Sequence, residues 1–380
     1  MHICFLTNEF PKVGFPHGGI GSFVKTIATA LVKNNVRVSV IGINYTAPQD
    51  ENEIIEGVKV YRLKRSAVKG LSWYFNSKAI NKKIKEINHN DPITIVESSE
   101  LGLAFIKKIK NIAYIIRLHG GHHFFAESEN RGINRWKGFQ EKRSFRKSDG
   151  FIAVSIFVKE HTEKYLNFNN KPVAYISNPI DTNFFKPIVG NEIENRIVFA
   201  GTVCEKKGIR QLIQAFPLVK KELPNATLEI YGRDWFFPDG SSYMQMLKEK
   251  ELPQLEEIVK DIHFHGSVSY ADIPLVYAGA AVCVFPSHME TQGLVAPEAM
   301  AMGKAVVFTK LGPGSETIEE YKTGLLCDPY NPEDIANKII WFLFHKNEAL
   351  LIGQKARESV ISKYNLENIV SSNINFYRIL

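Results

Sequence analysis

Two carboxylates lie eight residues apart in a segment with other chemically useful features. Glu290 and Glu298 flank Gly293, and the amides of Leu294 and Val295 follow at the start of a predicted short helix. A helix N-terminus carries about half a positive charge and unpaired N–H groups, so it favours a phosphate. A carboxylate one turn further along would repel phosphate, but it can accept both hydrogen bonds of a sugar diol. The segment therefore predicts a ligand in which phosphate and hydroxyl groups are adjacent, namely a sugar nucleotide.

Three other loops carry residues that could bind the same kind of ligand. Gly18 and Gly19 lie in a loop that starts at Pro16, Lys207 precedes a glycine and a predicted helix, and His119 ends a predicted strand. Glycine lets the backbone approach a phosphate, lysine can neutralise a diphosphate, and neutral histidine can hydrogen-bond a sugar hydroxyl. Each loop also has an ordinary interpretation: turn glycines, a solvated lysine and a structural histidine.

Short β-rich runs alternate with helical patterns along the chain, and these elements must position the loops. The candidate strands are 2–6, 36–42, 93–97, 114–118, 151–155, 196–200, 227–231, 262–265, 281–285 and 305–308. Alternating β and α elements predict parallel sheets covered on both faces, with ligands at the carboxyl ends of the strands. Ten strands would make a large single sheet, so we predict an α/β protein with two doubly wound domains.

The order of the motifs resembles that of the family 4 retaining glycosyltransferases. The markers are Gly18-Gly19-Ile20, His119-Gly120, Ala153-Val154-Ser155, Asn178-Pro179-Ile180-Asp181, Gly201 with Lys207-Gly208, Phe264-x-Gly266, Pro286-Ser287, Glu290 with Glu298, Gly312-x-Gly314-x-Glu316, and residues 323–329. Each marker is weak alone, but their order and spacing along nearly the whole chain are specific.

The resemblance implies the GT-B fold, in which two Rossmann-like domains face each other across a cleft. We place an N-terminal acceptor-binding domain at residues 1–185 and a C-terminal nucleotide-sugar domain at 186–363. The boundary falls where prolines and polar residues interrupt the alternation of elements. A C-terminal helix at about 364–380 is expected to pack back on the first domain.

The resemblance also implies roles for the two carboxylates and the loops around them. Glu298 would bind the ribose diol, and Glu290 would face the hexose of the donor. The Leu294 and Val295 amides, together with Gly19, would hold the diphosphate.

Further roles follow for residues in the other loops. Lys207 would neutralise the leaving diphosphate, and His119 would contact the transferred sugar. The nucleobase would lie near Arg233 and the backbone of His265 and Gly266. The expected donor-binding residues are thus Gly18, Gly19, Thr202, Lys207, Arg233, Gly266, Thr291, Gly293, Leu294, Val295 and Glu298. The expected catalytic residues are His119, Glu290 and Lys207.

Position 202 departs from the family pattern, which usually has an arginine directly after the glycine that matches Gly201. Here the residue is Thr202, so the second cation must come from elsewhere, and Arg233 is the candidate. The sequence contains no Asp-x-Asp motif. We therefore expect no metal and no cofactor, with the nucleotide sugar as a substrate and a front-face displacement as the mechanism.

Basic charge is concentrated in the first half of the chain. Residues 1–185 hold 27 Lys and Arg against 16 Asp and Glu, and residues 59–85 hold nine basic residues and no acidic one. Trp73 lies in this segment, and residues 131–147 repeat the basic character around Trp136. Such segments are typical of an anionic membrane interface, and equally of a solvated helix face with core aromatics.

No apolar run approaches the ~20 residues that span a bilayer, and the start lacks the features of a signal peptide. The four cysteines are scattered, as in a reduced intracellular protein. We expect a cytoplasmic protein that is peripheral on the inner face of the plasma membrane.

The sequence therefore predicts a retaining hexosyltransferase in a bacterial polysaccharide pathway. UDP-glucose is the first choice of donor because it is common in the family, and the acceptor is expected to be a glycan or a lipid-linked glycan. A GDP-mannose-dependent mannosyltransferase remains the main alternative. An NAD-dependent Rossmann enzyme is disfavoured because the loop at Gly19 lacks the Gly-x-Gly-x-x-Gly pattern. A nucleic-acid-binding protein is disfavoured because no recognised motif accompanies the basic charge, so no nucleic-acid partner is expected.

Overall fold

The computed structural model describes residues 1–12, 18–45, 49–128 and 131–380. The beginning of the predicted glycine loop, at Pro16, lies outside these residues, whereas Gly18 and Gly19 lie within them. In the described ranges no helix combines the length and the apolar character that crossing a bilayer requires.

The chain forms two units, and the second begins earlier than residue 186. The first unit is Met1–Pro179 with Leu366–Leu380, and the second is Ile180–Asn365. Ile180 and Phe185 explain the earlier boundary, because both side chains are buried in the core of the second unit. The polar and proline-containing residues around them conceal this burial in the sequence.

The first unit is built on an eight-stranded sheet. Its elements are β1 (His2–Leu6), α1 (Gly19–Lys33), β2 (Arg37–Asn44), β3 (Glu51–Ile55), β4 (Val58–Lys64), α2 (Ser72–Asn90), β5 (Ile95–Ser98), β6 (Ala113–Leu118), α3 (His122–Ser128), α4 (Arg135–Lys147), β7 (Gly150–Ala153), α5 (Ile156–Glu163) and β8 (Val173–Tyr175). The strand order is β3-β4-β2-β1-β5-β6-β7-β8. Only β3 and β4 pair antiparallel. All five residues of β1 are buried, as expected where helices cover both faces of a parallel sheet.

The edge hairpin of β3 and β4 is not among the predicted strands. Its turn consists of Glu56 and Gly57, both with positive φ (50° and 82°), which is typical of tight hairpins. In β4, exposed Lys59 alternates with buried Val58 and Val60. The first six residues of the predicted basic segment, 59–64, therefore belong to an amphipathic strand next to the edge strand β3, and the charged residues of β4 hide its period-two pattern in the sequence.

The second unit is built on a six-stranded sheet in which every neighbouring pair is parallel. Its elements are β9 (Arg196–Ala200), α6 (Ile209–Glu222), β10 (Thr227–Tyr231), α7 (Tyr243–Lys250), β11 (Ile262–Gly266), α8 (Ile273–Ala278), β12 (Val282–Phe285), α9 (Val295–Ala301), β13 (Val306–Thr309), α10 (Gly314–Thr317), β14 (Leu325–Cys327), α11 (Pro332–Phe344) and α12 (Lys346–Tyr364). Short 3-10 helices lie at Glu205–Lys207, Leu252–Asp261 and Tyr270–Asp272. The prediction of two doubly wound parallel-sheet domains is confirmed.

The order of strands in the second sheet defines a switch point. The sequence of neighbours is β11-β10-β9-β12-β13-β14, so the chain leaves β9 in one direction and returns to β12 on its other side. At such a switch point of an open parallel sheet, ligands bind outside the carboxyl ends of the two strands, which here are β9 and β12. We refer to this place as the crevice.

The last helix, α13 (Leu366–Ile379), belongs to the first unit and packs against α1. A buried polar network anchors it: the Tyr377 hydroxyl donates to Glu97 Oε2 at 2.6 Å, and Arg117 Nε donates to Glu97 Oε1 at 2.7 Å. Arg117 also donates to the Asn373 side chain. These groups are nearly inaccessible to solvent, so each depends on its partners for compensation of its charge or hydrogen bonds.

Candidate active site

The loops after β9 and β12 touch each other at the carboxyl edge of the second sheet. Gly208 has φ +68°, and a Cβ at this position would lie 1.9 Å from the carbonyl oxygen of Pro286. The His288 amide donates to the Lys206 carbonyl at 2.9 Å. Only glycine fits at position 208, and its absence of a side chain brings the two loops into contact.

Lys207 and Glu290 form an ion pair across these loops. The Lys207 Nζ contacts Glu290 Oε1, and the two side chains are 21% and 10% exposed, respectively. Gly293 has φ +74°, and a Cβ there would lie 3.2 Å from Glu290 Cγ and 2.7 Å from the Phe308 ring. The glycine therefore makes room for the carboxylate side chain, and Thr291 lies in the turn between them.

Glu298 lies in the first turn of α9 and is half-buried. The Tyr277 hydroxyl donates to Glu298 Oε2 at 3.2 Å. Burial raises the pKa of Glu298 to about 8, and the hydrogen bond from Tyr277 opposes this rise. The preceding Leu294 and Val295 amides have no hydrogen-bond acceptor in the part of the chain that the structure describes. The helix start thus offers two donors close to one carboxylate.

Arg233, the candidate for the second cation, lies beside Thr202. The Arg233 Nε donates to Thr202 Oγ1 at 3.5 Å. The Val203 amide donates to the Arg233 carbonyl at 2.9 Å, so the loops after β9 and β10 run side by side. A guanidinium group is therefore present next to position 202, although it belongs to the loop after β10 and not to the loop after β9.

Gly266 ends β11 next to the same loops. The Gly232 amide donates to the Gly266 carbonyl at 2.8 Å, and Gly266 has φ +71°. His265 stacks on Tyr231 with ring centroids 4.2 Å apart and an angle of 8° between the planes. The carboxyl ends of three neighbouring strands thus bring Thr202, Arg233 and Gly266 together.

The remaining predicted site residues lie in the first unit, around the start of α1 and the end of β6. The Gly18 amide donates to Glu9 Oε2 at 3.1 Å, and a Cβ at Gly19 would meet no atom within 4 Å. The Phe23 ring of α1 lies 5.1 Å from the ring of His119. Burial, followed by the charge of Arg117, lowers the pKa of His119 to about 3. His119 is therefore neutral at ordinary pH and can donate or accept a hydrogen bond, depending on its tautomer.

Two buried glutamates beneath the His119 loop are absent from the predicted site. The Glu141 carboxylate accepts from the amides of His122 and His123 and also contacts His123 Nδ1. Burial raises the pKa of Glu100 to about 8, while the nearby amides of His119 and Gly120 oppose the rise. Glu100 shortly follows β5, and this position at a strand end is a signal visible in the sequence. Glu141 lies among basic residues in α4 and gives no such signal.

The cysteines take no part in either group of residues. All four are free and buried. Burial raises the pKa of the Cys4 and Cys283 thiols to about 12, so these two remain protonated and unreactive at ordinary pH.

Two family models together match most of the chain. Residues 17–184 match the model described as Glycosyltransferase Family 4, and residues 181–359 match the model of Glycosyl transferases group 1. The two matches meet close to the boundary between the structural units.

Similar proteins extend over the same region. An uncharacterized glycosyltransferase of Methanocaldococcus jannaschii is 29% identical, with 100% of this chain and 98% of the relative covered. The GDP-mannose-dependent alpha-(1-6)-phosphatidylinositol monomannoside mannosyltransferase of Mycobacterium tuberculosis is 25% identical, with 69% of this chain and 71% of the relative covered.

Solved structures share the fold. The sucrose-phosphate synthase of Thermosynechococcus elongatus has a TM-score of 0.85 and 20% identity, covering 99% of this chain and 98% of that protein. HepE of Anabaena, in complex with UDP and glucose, has a TM-score of 0.79 and 18% identity, with 100% of this chain and 99% of HepE covered. The chain therefore belongs to the family 4 glycosyltransferases and has the GT-B fold.

Proposed function

We propose that this protein is a retaining hexosyltransferase that uses a UDP-sugar, with UDP-glucose as the first choice, and transfers the hexose to a glycan or lipid-linked glycan. The observation that carries the proposal is the grouping of Lys207, Glu290 and Glu298 at the switch point of the second sheet. Family membership sets aside the two alternatives from outside it, a nicotinamide-dependent enzyme and a nucleic-acid-binding protein.

Glu298 is the residue to which we assign the ribose. Its carboxylate lies one turn inside a helix whose Leu294 and Val295 amides are available to a phosphate. A nucleoside diphosphate presents its ribose hydroxyls and its phosphates side by side, which matches a carboxylate next to these donors. The diphosphate would lie at the helix start and the ribose one turn further along.

Lys207 and Arg233 are the cations to which we assign the departing diphosphate. They flank the crevice from the loops after β9 and β10, and Arg233 takes over the part that an arginine at position 202 plays in relatives. Positive charge aimed at the leaving group stabilises the negative charge that develops in the transition state. In this proposal two side-chain cations, and no metal ion, stabilise the leaving group.

Glu290 and His119 are the residues to which we assign the transferred hexose. In the proposed step the acceptor oxygen bonds to the anomeric carbon while the bond from that carbon to the diphosphate oxygen breaks. The departing diphosphate oxygen takes the proton of the acceptor hydroxyl on the same face, so the anomeric configuration is retained. Glu290 would accept hydrogen bonds from hexose hydroxyls once Lys207 has turned to the diphosphate.

Similar proteins differ in the nucleotide sugar that they use, so they support both UDP-glucose and GDP-mannose as candidates. HepE is described in complex with UDP and glucose, and this supports a UDP-sugar. The mycobacterial relative is a GDP-mannose-dependent mannosyltransferase, and this supports GDP-mannose as the second candidate. A thermal-shift panel of UDP-glucose, UDP, GDP-mannose and GDP separates them, because the true donor stabilises the folded protein in proportion to the logarithm of its concentration.

A test of the reaction itself is the anomeric configuration of the product. With UDP-glucose and an acceptor that supports transfer, proton NMR of the first product should show an α-glycoside, the configuration of the donor. A β-glycoside would contradict the retaining mechanism, and transfer from GDP-mannose alone would replace the first choice by the second.

We assign contact with the membrane that carries the acceptor to an aromatic cluster in the first unit, which consists of Phe105 and the exposed residues Trp73, Trp136 and Phe139. The rings of Trp73 and Trp136 lie 5.3 Å apart, and Trp136 stacks on Phe105 and Phe139 at 5.7 and 5.8 Å. Trp73 is 37% exposed and Trp136 45%. Arginine and lysine flank Trp136 on α4 and are exposed. Exposed indole rings beside cations favour the headgroup region of an anionic bilayer.

In this proposal the protein is cytoplasmic and docks on the inner leaflet, where a lipid-linked acceptor for a bacterial polysaccharide is accessible. Flotation with vesicles that contain anionic lipid should recover the wild-type protein, and Trp73→Ser with Trp136→Ser should reduce recovery several-fold. Phe344→Ser, which removes a 56% exposed ring in the second unit, serves as the matched control. Equal recovery of all three proteins would contradict the docking.

A further inference from the structure

Tyr277 is fixed in the core directly behind Glu298. Its side chain is fully buried, and its ring packs against Phe185 and Phe285 with centroid distances of 6.3 Å to each. A phenol held on two sides by other rings has little freedom, so the position of its hydroxyl is set by packing. That hydroxyl donates to Glu298 Oε2 at 3.2 Å.

This contact orients the carboxylate and divides its two oxygens between two tasks. Oε2 accepts the bond from Tyr277, whereas Oε1 has no hydrogen-bond partner among the described residues. Carboxylate oxygens have two lone pairs each, so Oε2 keeps one acceptor site and Oε1 keeps both. The oriented group can therefore accept from two neighbouring hydroxyls of one ligand.

We propose that Tyr277 is a positioning residue that holds Glu298 as an oriented carboxylate, so that the protein distinguishes a ribonucleotide from its 2′-deoxyribonucleotide. This inference rests on the proposed function, in which Glu298 binds the ribose. Tyr277 touches no substrate and acts only through Glu298.

The surroundings of Glu298 make this hydrogen bond important. Among the described residues, Tyr277 of α8 and Tyr270 of the 3-10 turn face the carboxylate, with Cys283 and Asp181 beside those tyrosines. None of these groups carries positive charge. Burial raises the pKa of Glu298, and Tyr277 supplies the hydrogen bond that opposes this.

Loss of the hydroxyl would leave Glu298 protonated over a wider pH range. A protonated carboxyl group keeps one acceptor oxygen and turns the other into a donor, so it cannot serve two donating hydroxyls equally. The protein would then gain little from the second ribose hydroxyl. A hydrogen bond to a charged group contributes about 1.5–3 kcal/mol, which corresponds to roughly 10- to 100-fold in affinity.

The test is isothermal titration of UDP and 2′-deoxy-UDP with the full chain at pH 7.0 and 8.5. At pH 8.5, where Glu298 of the wild type is mostly ionised, the wild type should bind UDP at least about tenfold more tightly than 2′-deoxy-UDP, and this preference should shrink at pH 7.0. Tyr277→Phe should bind UDP about tenfold more weakly than the wild type at pH 8.5, with a preference below about threefold at both pH values. Tyr364→Phe, which removes another buried hydroxyl of the second unit, should resemble the wild type.

A second variant keeps the inference testable if Tyr277→Phe folds poorly. Glu298→Gln retains Tyr277 and the shape of the side chain but has no charge, so it should show the reduced preference at both pH values. An unchanged preference in Tyr277→Phe, or equal weakening of both nucleotides at both pH values, would overturn the inference.

Failure of the proposed function gives a different pattern. A wild-type protein that binds neither UDP nor GDP would contradict the nucleotide-sugar assignment itself, and a preference that survives in Glu298→Gln would remove Glu298 from the ribose. If GDP binds and UDP does not, GDP and 2′-deoxy-GDP replace the uridine pair with the same expected outcomes.

Discussion

Lys207 Nζ and Glu290 Oε1 form an ion pair that joins the loop after β9 to the loop after β12. The two side chains are mostly but not completely buried, so both remain within reach of a ligand in the crevice. Under the proposed function, a donor must separate them, since Lys207 turns to the diphosphate and Glu290 to the hexose. The pair keeps both charges compensated while the crevice holds no donor.

This relationship predicts different consequences for its two members. Glu290→Gln should reduce transfer by at least about 100-fold, because an amide cannot replace a carboxylate facing the hexose, while affinity for UDP stays within a few-fold. Lys207→Met should reduce both transfer and UDP affinity, because it removes a cation next to the diphosphate. Steady-state transfer rates and UDP titrations of both variants check this. A Glu290→Gln protein that loses UDP binding would show that Glu290 acts on the nucleotide instead.

A second prediction concerns the cation beside Thr202. Arg233→Ala should lower kcat/KM by about 10- to 100-fold, because the departing diphosphate loses one of its two cations. Thr202→Arg in the Arg233→Ala background should restore much of the activity, since the two side chains lie within 3.5 Å of each other. The single variant Thr202→Arg is the matched control. Failure of the double variant to recover, with Thr202→Arg alone active, would contradict the exchange of roles.

Glu298 predicts how donor affinity depends on pH. Its pKa is about 8 in the free protein, and the diol binds best to the ionised carboxylate, so binding must release a proton below that pH. Affinity for UDP-glucose should therefore rise from pH 6 to pH 9, by up to about tenfold per pH unit at the acidic end, and then level off. Glu298→Gln should show a flat profile. A wild-type affinity that falls or stays constant over this range would contradict the assigned role.

Glu100 predicts an effect of pH on stability. Its folded pKa of about 8 lies above the ordinary value, so its neutral form is favoured in the folded state. The corresponding stability is fully present below the ordinary pKa of a glutamate and is lost as pH rises through about 8. Glu100→Gln should remove this pH dependence. Relative to the wild type, its free energy of unfolding should therefore rise by about 1–3 kcal/mol between pH 5 and pH 8.5. Urea unfolding at both pH values measures the difference, and parallel changes in the two proteins would contradict it.

The fold could be predicted largely from the alternation of short apolar runs and helical patterns. The pattern fails where charged residues interrupt a buried strand, as at Lys59 in β4, and where core residues lie near prolines and polar residues, as at Ile180 and Phe185. A local pattern carries no information on which distant residue covers a side chain. The unit boundary therefore required the structure.

The site was predictable to the extent that its residues lie at strand ends. Lys207 and Glu290 occupy such loops, and the structure places their charged atoms in contact although 83 positions separate them. Tyr277 lies in a helix among apolar residues, where nothing in the sequence distinguishes it from an ordinary core tyrosine. The hydrogen bond from Tyr277 to Glu298 joins α8 to α9 only in the folded chain, and a linear pattern does not determine which helices meet.

In the proposed function, the second unit binds a nucleotide sugar through Glu298. Isothermal titration of UDP-glucose at pH 8.5 with the wild type and Glu298→Ala tests it most directly. We expect micromolar to millimolar binding by the wild type and at least about tenfold weaker binding by the variant, the effect of losing hydrogen bonds to a charged group. Equal affinities would contradict the role of Glu298, and a wild-type protein that binds neither UDP-glucose nor GDP-mannose would contradict the claim as a whole.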